Sequence, residues 1–150
     1  MLTIIEKVIF LRNIPIFSST RTEDLTRIAA IAQEVEFKKG EAIFRENDPG
    51  DAMYFVTRGA VRLHKNDLDI FVAAQNESFG ELEVLGNEAR FVAATAVEDV
   101  SALKISHEDF YEILADNIKI AQDIFKVLAR RIKELLGPSK TDLVFWLKRE

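Results

Sequence analysis

Between Glu34 and Leu103 the apolar residues cease to follow a helical rhythm and alternate with polar ones, in short runs closed by turn formers. Val35 and Phe37 alternate with Glu34, Glu36 and Lys38, and Lys39-Gly40 then turns the chain into Ala42-Ile43-Phe44. The stretch Glu46-Asn47-Asp48-Pro49-Gly50-Asp51 is dense in turn residues. Strands are predicted next at Met53–Val56, at Ala60–His64 beside Gly59, and at Leu68–Ala73, with Asn66-Asp67 as the tight turn between the last two. Phe91–Val97 and Val100–Ile105 complete the series. Many short strands at regular spacing cannot bury their apolar faces singly, so they predict a sandwich or barrel.

Helical patterns flank this region. Ile4, Ile5, Val8, Ile9 and Leu11 recur at helical spacing until Ile14-Pro15-Ile16-Phe17 interrupts them, and Thr22-Glu23-Asp24-Leu25 opens a second helix carrying Leu25, Ile28 and Ala29. After the strands, Ser106 and Asp109 have the spacing of a capping box before Phe110, Ile113 and Leu114. A longer helix is expected from about Asn117 to the break at Gly137-Pro138. Its residues Ile118, Ala121, Phe125, Leu128, Ile132 and Leu135 alternate steps of three and four, the spacing of a heptad seam. Such a seam either meets another copy of the chain or packs on the barrel, with Ile124, Val127 and Leu136 beside it. Leu143-Val144-Phe145-Trp146-Leu147 is a further apolar run that needs cover.

The chain has 150 residues, 48% hydrophobic and 30% charged, enough apolar material for one core. The absence of cysteine removes thiol chemistry and disulfides, and fits a reducing, cytoplasmic setting. No apolar run is long enough to span a bilayer, and Glu6 and Lys7 interrupt what would otherwise look like a signal sequence. A net charge of −5 argues against nucleic acid or an anionic membrane as the main partner. Lys126, Arg130, Arg131 and Lys133 read as the solvated face and last turns of the long helix.

One segment stands out: Phe79-Gly80-Glu81-Leu82-Glu83-Val84-Leu85-Gly86-Asn87-Glu88-Ala89-Arg90. It resembles the phosphate-binding cassette of cyclic nucleotide-binding domains, the family of cyclic-AMP-dependent kinase regulatory subunits, gated channels and the bacterial catabolite activator. Gly40, Asp48-Pro49-Gly50-Asp51, Tyr54 and Gly59 extend the match, which covers roughly residues 14–136. The resemblance implies a mainly β fold with α: an eight-stranded antiparallel β-roll (jelly roll) between helices. It divides the chain into an N-terminal helical segment (1–32), the roll (33–105, cassette 79–93), C-terminal helices (106–136) and a tail or lid (137–150). It implies a regulatory sensor rather than an enzyme, whose C-terminal helices are repositioned by the ligand.

The same resemblance assigns ligand contacts to Gly80, Glu81, Leu82, Glu83, Arg90, Phe91 and Val92. Glu81 is expected to accept a hydrogen bond from the ribose hydroxyl and Arg90 to pair with the cyclic phosphate; a guanidinium can offer two parallel donors to such an oxyanion. Gly80 would let the backbone approach the sugar, although an ordinary turn glycine fits the position too. Trp146 is a candidate lid over the base, or else packs on its own domain. Cyclic AMP is expected over cyclic GMP, because Phe91 lacks the hydroxyl associated with guanine, and no cofactor or metal is implied. In the catabolite activator group the long helix dimerises, so a homodimer through 117–136 is expected.

Four positions depart from the family pattern: Glu83 stands for alanine or glycine, Ala89 for proline, Phe91 for a small residue, and Val92-Ala93 for a small-plus-hydroxyl pair. Glu83 is the sharpest departure. Pointing inward at about 4 Å from a phosphate it would repel by on the order of 4 kcal/mol; pointing outward it would matter little. These departures support an alternative in which the roll binds no nucleotide and serves as a dimerisation or interaction module. A metal-dependent jelly-roll enzyme would need clustered histidines, and the chain has only His64 and His107.

Overall fold

The computed structural model describes residues 1–136 and residue 148. Trp146, and with it nearly all of the 137–150 tail, lies outside the described residues. Helices α1 (Ile4–Arg12) and α2 (Thr22–Ile31) flank a 3-10 turn at Pro15–Phe17. Eight strands follow: β1 (Gln33–Phe37), β2 (Ala42–Phe44), β3 (Ala52–Arg58), β4 (Val61–Lys65), β5 (Leu68–Ala73), β6 (Ser78–Phe79), β7 (Ala93–Ala96) and β8 (Val100–Ser106). A short helix, α3 (Glu81–Gly86), lies between β6 and β7, and α4 (His107–Asp116) and α5 (Ile118–Leu136) follow the last strand.

All pairings are antiparallel, in two four-stranded sheets ordered β1-β8-β3-β6 and β2-β7-β4-β5. This is the expected eight-stranded β-roll. β3 shows why it is stable: alternate residues point to opposite faces of a strand, and both faces of β3 are covered. Ala52, Tyr54 and Val56 join Phe44, Val61, Phe79, Ala94 and Val100 inside the roll. Met53 and Phe55 join Leu103 and Ile105 of β8 in a second cluster, beneath Leu11, Ile16, Phe17, Leu25 and Ile28 and beneath Phe110, Ile120 and Ile124 of the C-terminal helices. The helices on both sides of the roll thus share one core.

Local chemistry fixes the ends of these elements. Thr3 and Glu6 form a reciprocal capping box at α1 that the apolar pattern did not reveal, and the Ser106 hydroxyl accepts from the Asp109 amide at α4. Asn66 turns β4 into β5 with φ +53°, and Asn76 holds φ +69° before β6, conformations asparagine tolerates better than most residues. β7 is shorter than the expected Phe91–Val97, because Phe91 and Val92 still belong to the loop leaving α3. α4 and α5 are separated at Asn117, whose side-chain amide donates to the buried Asp24 carboxylate of α2 at 2.8 Å.

The long helix has two apolar faces. Ile120, Ala121, Ile124 and Val127 are buried against the body. Ile118, Phe125, Ile132 and Leu135 of the heptad seam are exposed. The stripe that packs on the body is therefore mostly not the seam.

Candidate functional site

β6 delivers the chain to the cassette. Phe79 is buried inside the roll with its ring stacked on Tyr54, centroids 4.9 Å apart. Gly80 then takes φ +79°. A Cβ there would lie 2.9 Å from Arg90 Nη1 and 3.2 Å from the Ala52 carbonyl oxygen. Glycine is needed both for the left-handed backbone and for the guanidinium packed against it. α3 ends at Asn87, also left-handed with φ +55°, so a positive-φ residue flanks the helix on each side. Tyr111 of α4 shares its hydroxyl proton between the carbonyls of Val84 and Leu85, at 3.0 and 3.1 Å, supporting the last turn.

The loop after α3 is clipped to the turn after β2. Arg90 donates its amide to Asp48, Asn47 donates to the Arg90 carbonyl, both at 2.8 Å, and Ala89 bridges to Pro49. That backbone clamp drives the Arg90 side chain inward, where it is 1% exposed. Its Nη1 donates to the Gly80 carbonyl and to Glu83 Oε1, each at 2.8 Å. Its Nη2 donates to the Ala52 carbonyl, with Asp51 Oδ1 3.8 Å away. The guanidinium carbon sits 4.0 Å from the Phe44 ring centroid, a cation–π contact in a desolvated setting. Of its three nitrogens, Nε alone has no acceptor among the described residues.

Glu83 therefore takes the inward of its two orientations and is 3% exposed. Room for it comes from Gly50: a Cβ at that position would lie 2.6 Å from Glu83 Cβ and 2.3 Å from the Glu88 carbonyl oxygen. Turn propensity alone did not reveal this role for Gly50. Nor did the sequence single out Phe44, Asp51 or the Ala52 carbonyl as partners of Arg90, since a strand pattern does not say which groups a side chain from elsewhere will meet.

Glu81 stands apart. It makes no ion pair with Arg90 within 4 Å among the described residues. It lines a cavity of about 200 Å³ whose walls also include Phe71 of β5, Ser78, Leu82, and Leu128 and Arg131 of α5. Its Oε2 is buried without a hydrogen-bond partner among the described residues. Burial pushes the Glu81 carboxyl above its ordinary pKa. Arg131, grouped by spacing with a solvated basic face, is thus a wall of this cavity.

The remaining expected contacts are distributed unevenly. Leu82 is exposed as well as lining the Glu81 cavity, and Val92 is buried. Phe91 is 53% exposed, so it does not fill the space beside Arg90. The structure thus brings Gly80, Glu83 and Arg90 together, and among the described residues Glu81 makes no ion pair with Arg90. His64 contacts the Asn66 carbonyl and the Thr95 hydroxyl, whereas His107 packs on the Tyr111 ring. Among the described residues no three His, Asp or Glu side chains come together to hold a metal ion.

Comparison with known proteins places this geometry. Residues 34–117, more than half of the chain, match the family model described as the cyclic nucleotide-binding domain. Over 135 residues the chain is 26% identical to a CRP-like cAMP-activated global transcriptional regulator of Mycobacterium tuberculosis, covering 87% of this chain and 60% of that protein. Over 107 residues it is 30% identical to a cAMP-dependent protein kinase regulatory subunit of Aspergillus niger, covering 70% of this chain and 26% of the subunit. The chain therefore spans less than two thirds of each of these relatives. The N-terminal domain of a transcriptional regulator from Streptomyces coelicolor superposes with a TM-score of 0.74 at 30% identity, covering 84% of this chain and 91% of that one. The matched residues 34–117 include the eight strands from Glu34 onward and the cassette with Arg90, and the chain belongs to the cyclic nucleotide-binding domain family.

Proposed function

We propose that this chain is a regulatory cyclic nucleotide-binding module, with cyclic AMP as its preferred ligand. One observation carries the proposal: the two cassette residues with ligand-like chemistry each keep a buried polar atom with no partner among the described residues, the Nε–H donor of Arg90 and the Oε2 acceptor of Glu81. Buried polar groups without partners are rare in native proteins. A cyclic phosphate oxygen would satisfy the first and a ribose hydroxyl the second. The cavity beside Glu81 is bounded by β5, the cassette and α5. A ligand reaching into it would touch α5 directly, and α5 would reposition about the break at Asn117. Such coupling requires that the ligand bind the two helix arrangements with different affinity.

Relatives named as activated by or dependent on cAMP support that choice of ligand. The exposed seam of Ile118, Phe125, Ile132 and Leu135 supports a homodimer through α5, since contiguous exposed apolar surface marks an interaction site. The module acts in the cytoplasm, works without a metal or other cofactor, and controls an effector elsewhere. Membrane and nucleic acid are not among its proposed partners, and no helix of the described residues is long and apolar enough to cross a membrane.

Calorimetric titration tests this. Cyclic AMP should give a saturable heat, stronger than cyclic GMP, that Glu81→Gln weakens by roughly tenfold through loss of a charge-assisted hydrogen bond. Absence of heat at millimolar concentrations of both nucleotides contradicts it. A second reading, a roll that binds no nucleotide and serves in assembly, is favoured by the Glu83–Arg90 contact; it requires silence in that titration together with a stable dimer.

A further inference from the structure

Arg90 is the sole buried cation among the described residues, and its charge is already matched from within the chain. A guanidinium accepts a carboxylate or a phosphate oxygen through the same N–H donors. Glu83 supplies one oxygen to Nη1, and on the other side of the guanidinium Nε–H has no acceptor among the described residues. The seat is nevertheless shaped for it, because Gly50 removes the one side chain that would collide with its stem. Nη1 is open to a tetrahedral oxyanion only after Glu83 has left.

We infer that Glu83 is a tethered occupant of the oxyanion position at Arg90, a specificity-determining residue that sets the affinity of the cassette for anionic ligands. The inference deepens the proposed function and rests on the cassette being its ligand site. A phosphate that takes the Nη1 donors must displace Glu83, whereas a neutral nucleoside held at Glu81 need not. α3 is bracketed by the left-handed Gly80 and Asn87, so displacement can proceed by moving that helix without remodelling β6 or β7.

Inorganic phosphate is the probe that separates this inference from the identity of the natural ligand. Thermal denaturation of wild type, Glu83→Ala and Glu83→Gln is followed in phosphate and in chloride at equal ionic strength. Phosphate should raise the midpoint of Glu83→Ala saturably and leave wild type unmoved; the isosteric Glu83→Gln covers the case in which alanine fails to fold. An equal response of all three proteins to phosphate overturns the inference. In parallel, cyclic AMP should bind Glu83→Ala at least about tenfold more tightly than wild type, because a competing buried charge has gone, while adenosine should distinguish them little. Equal cyclic AMP affinity in wild type and Glu83→Ala overturns the inference and leaves the proposed function standing. Phosphate rescue without cyclic AMP binding by any of the proteins supports the inference and contradicts the cyclic nucleotide reading.

Discussion

The two ends of the cassette are finished in opposite ways. Around Arg90, two backbone carbonyls, a carboxylate and an aromatic ring close over a guanidinium that is almost wholly removed from water. Around Glu81 the carboxylate borders a cavity and one of its oxygens meets no donor among the described residues. A buried charge is tolerable only when paired and hydrogen-bonded. The Arg90 end meets that condition from within the chain, and the Glu81 end meets it poorly. Stability is therefore expected to reside at one end and responsiveness at the other.

Breaking the Arg90 end should have the largest effect. Arg90→Ala strips Glu83 of its counter-charge and should cost about 3–5 kcal/mol of unfolding free energy in urea titrations, the usual cost of orphaning one member of a buried pair. A loss below about 1 kcal/mol would place the pair in the class of exposed ion pairs. Gly50→Ala comes next. Its Cβ would meet the Glu88 carbonyl at 2.3 Å, a backbone atom that cannot step aside, and overpacking of this kind costs about 1–3 kcal/mol.

The Glu81 end should respond less and with opposite sign. Its carboxyl is raised by burial, so the folded state holds that proton to higher pH than the unfolded state. Stability then falls as pH rises from the ordinary carboxyl value through the raised one. Glu81→Gln should be more stable than wild type at neutral pH, and the gap should close as pH is lowered through that window. A gap independent of pH would remove the titration from the account. Phe125→Asp, on the exposed face of α5, should change monomer stability by less than about 0.5 kcal/mol. In sedimentation it should nonetheless dissociate the proposed dimer. An unchanged sedimentation profile would leave the seam without that role.

The contrast also marks how far the sequence could be read. Period-two alternation located β1, where Val35 and Phe37 turn inward, and turn residues between short apolar runs marked most of the other strands. The two-residue β6 (Ser78–Phe79) is too short to carry a period at all. Gly80, Glu81 and Arg90 were legible as a motif, but motif spacing does not specify which carboxylate reaches the guanidinium. That outcome depends on Gly50, thirty residues upstream of Gly80, and on the clamp joining Asn47 and Asp48 to Arg90. Glu83 could be recognised from sequence as a departure, with its inward and outward orientations equally available. α5 shows the same limit: the heptad spacing was visible, yet the stripe buried against the body runs through Ile120, Ile124 and Val127.

The most direct test of the account is the Arg90 Nε–H resonance in a nuclear magnetic resonance titration with cyclic AMP. That proton has no acceptor among the described residues, so it should shift and saturate as a phosphate oxygen arrives, with the amides of Gly80 and Glu83 moving in step. A resonance that stays in place at millimolar cyclic AMP would contradict ligand binding at Arg90.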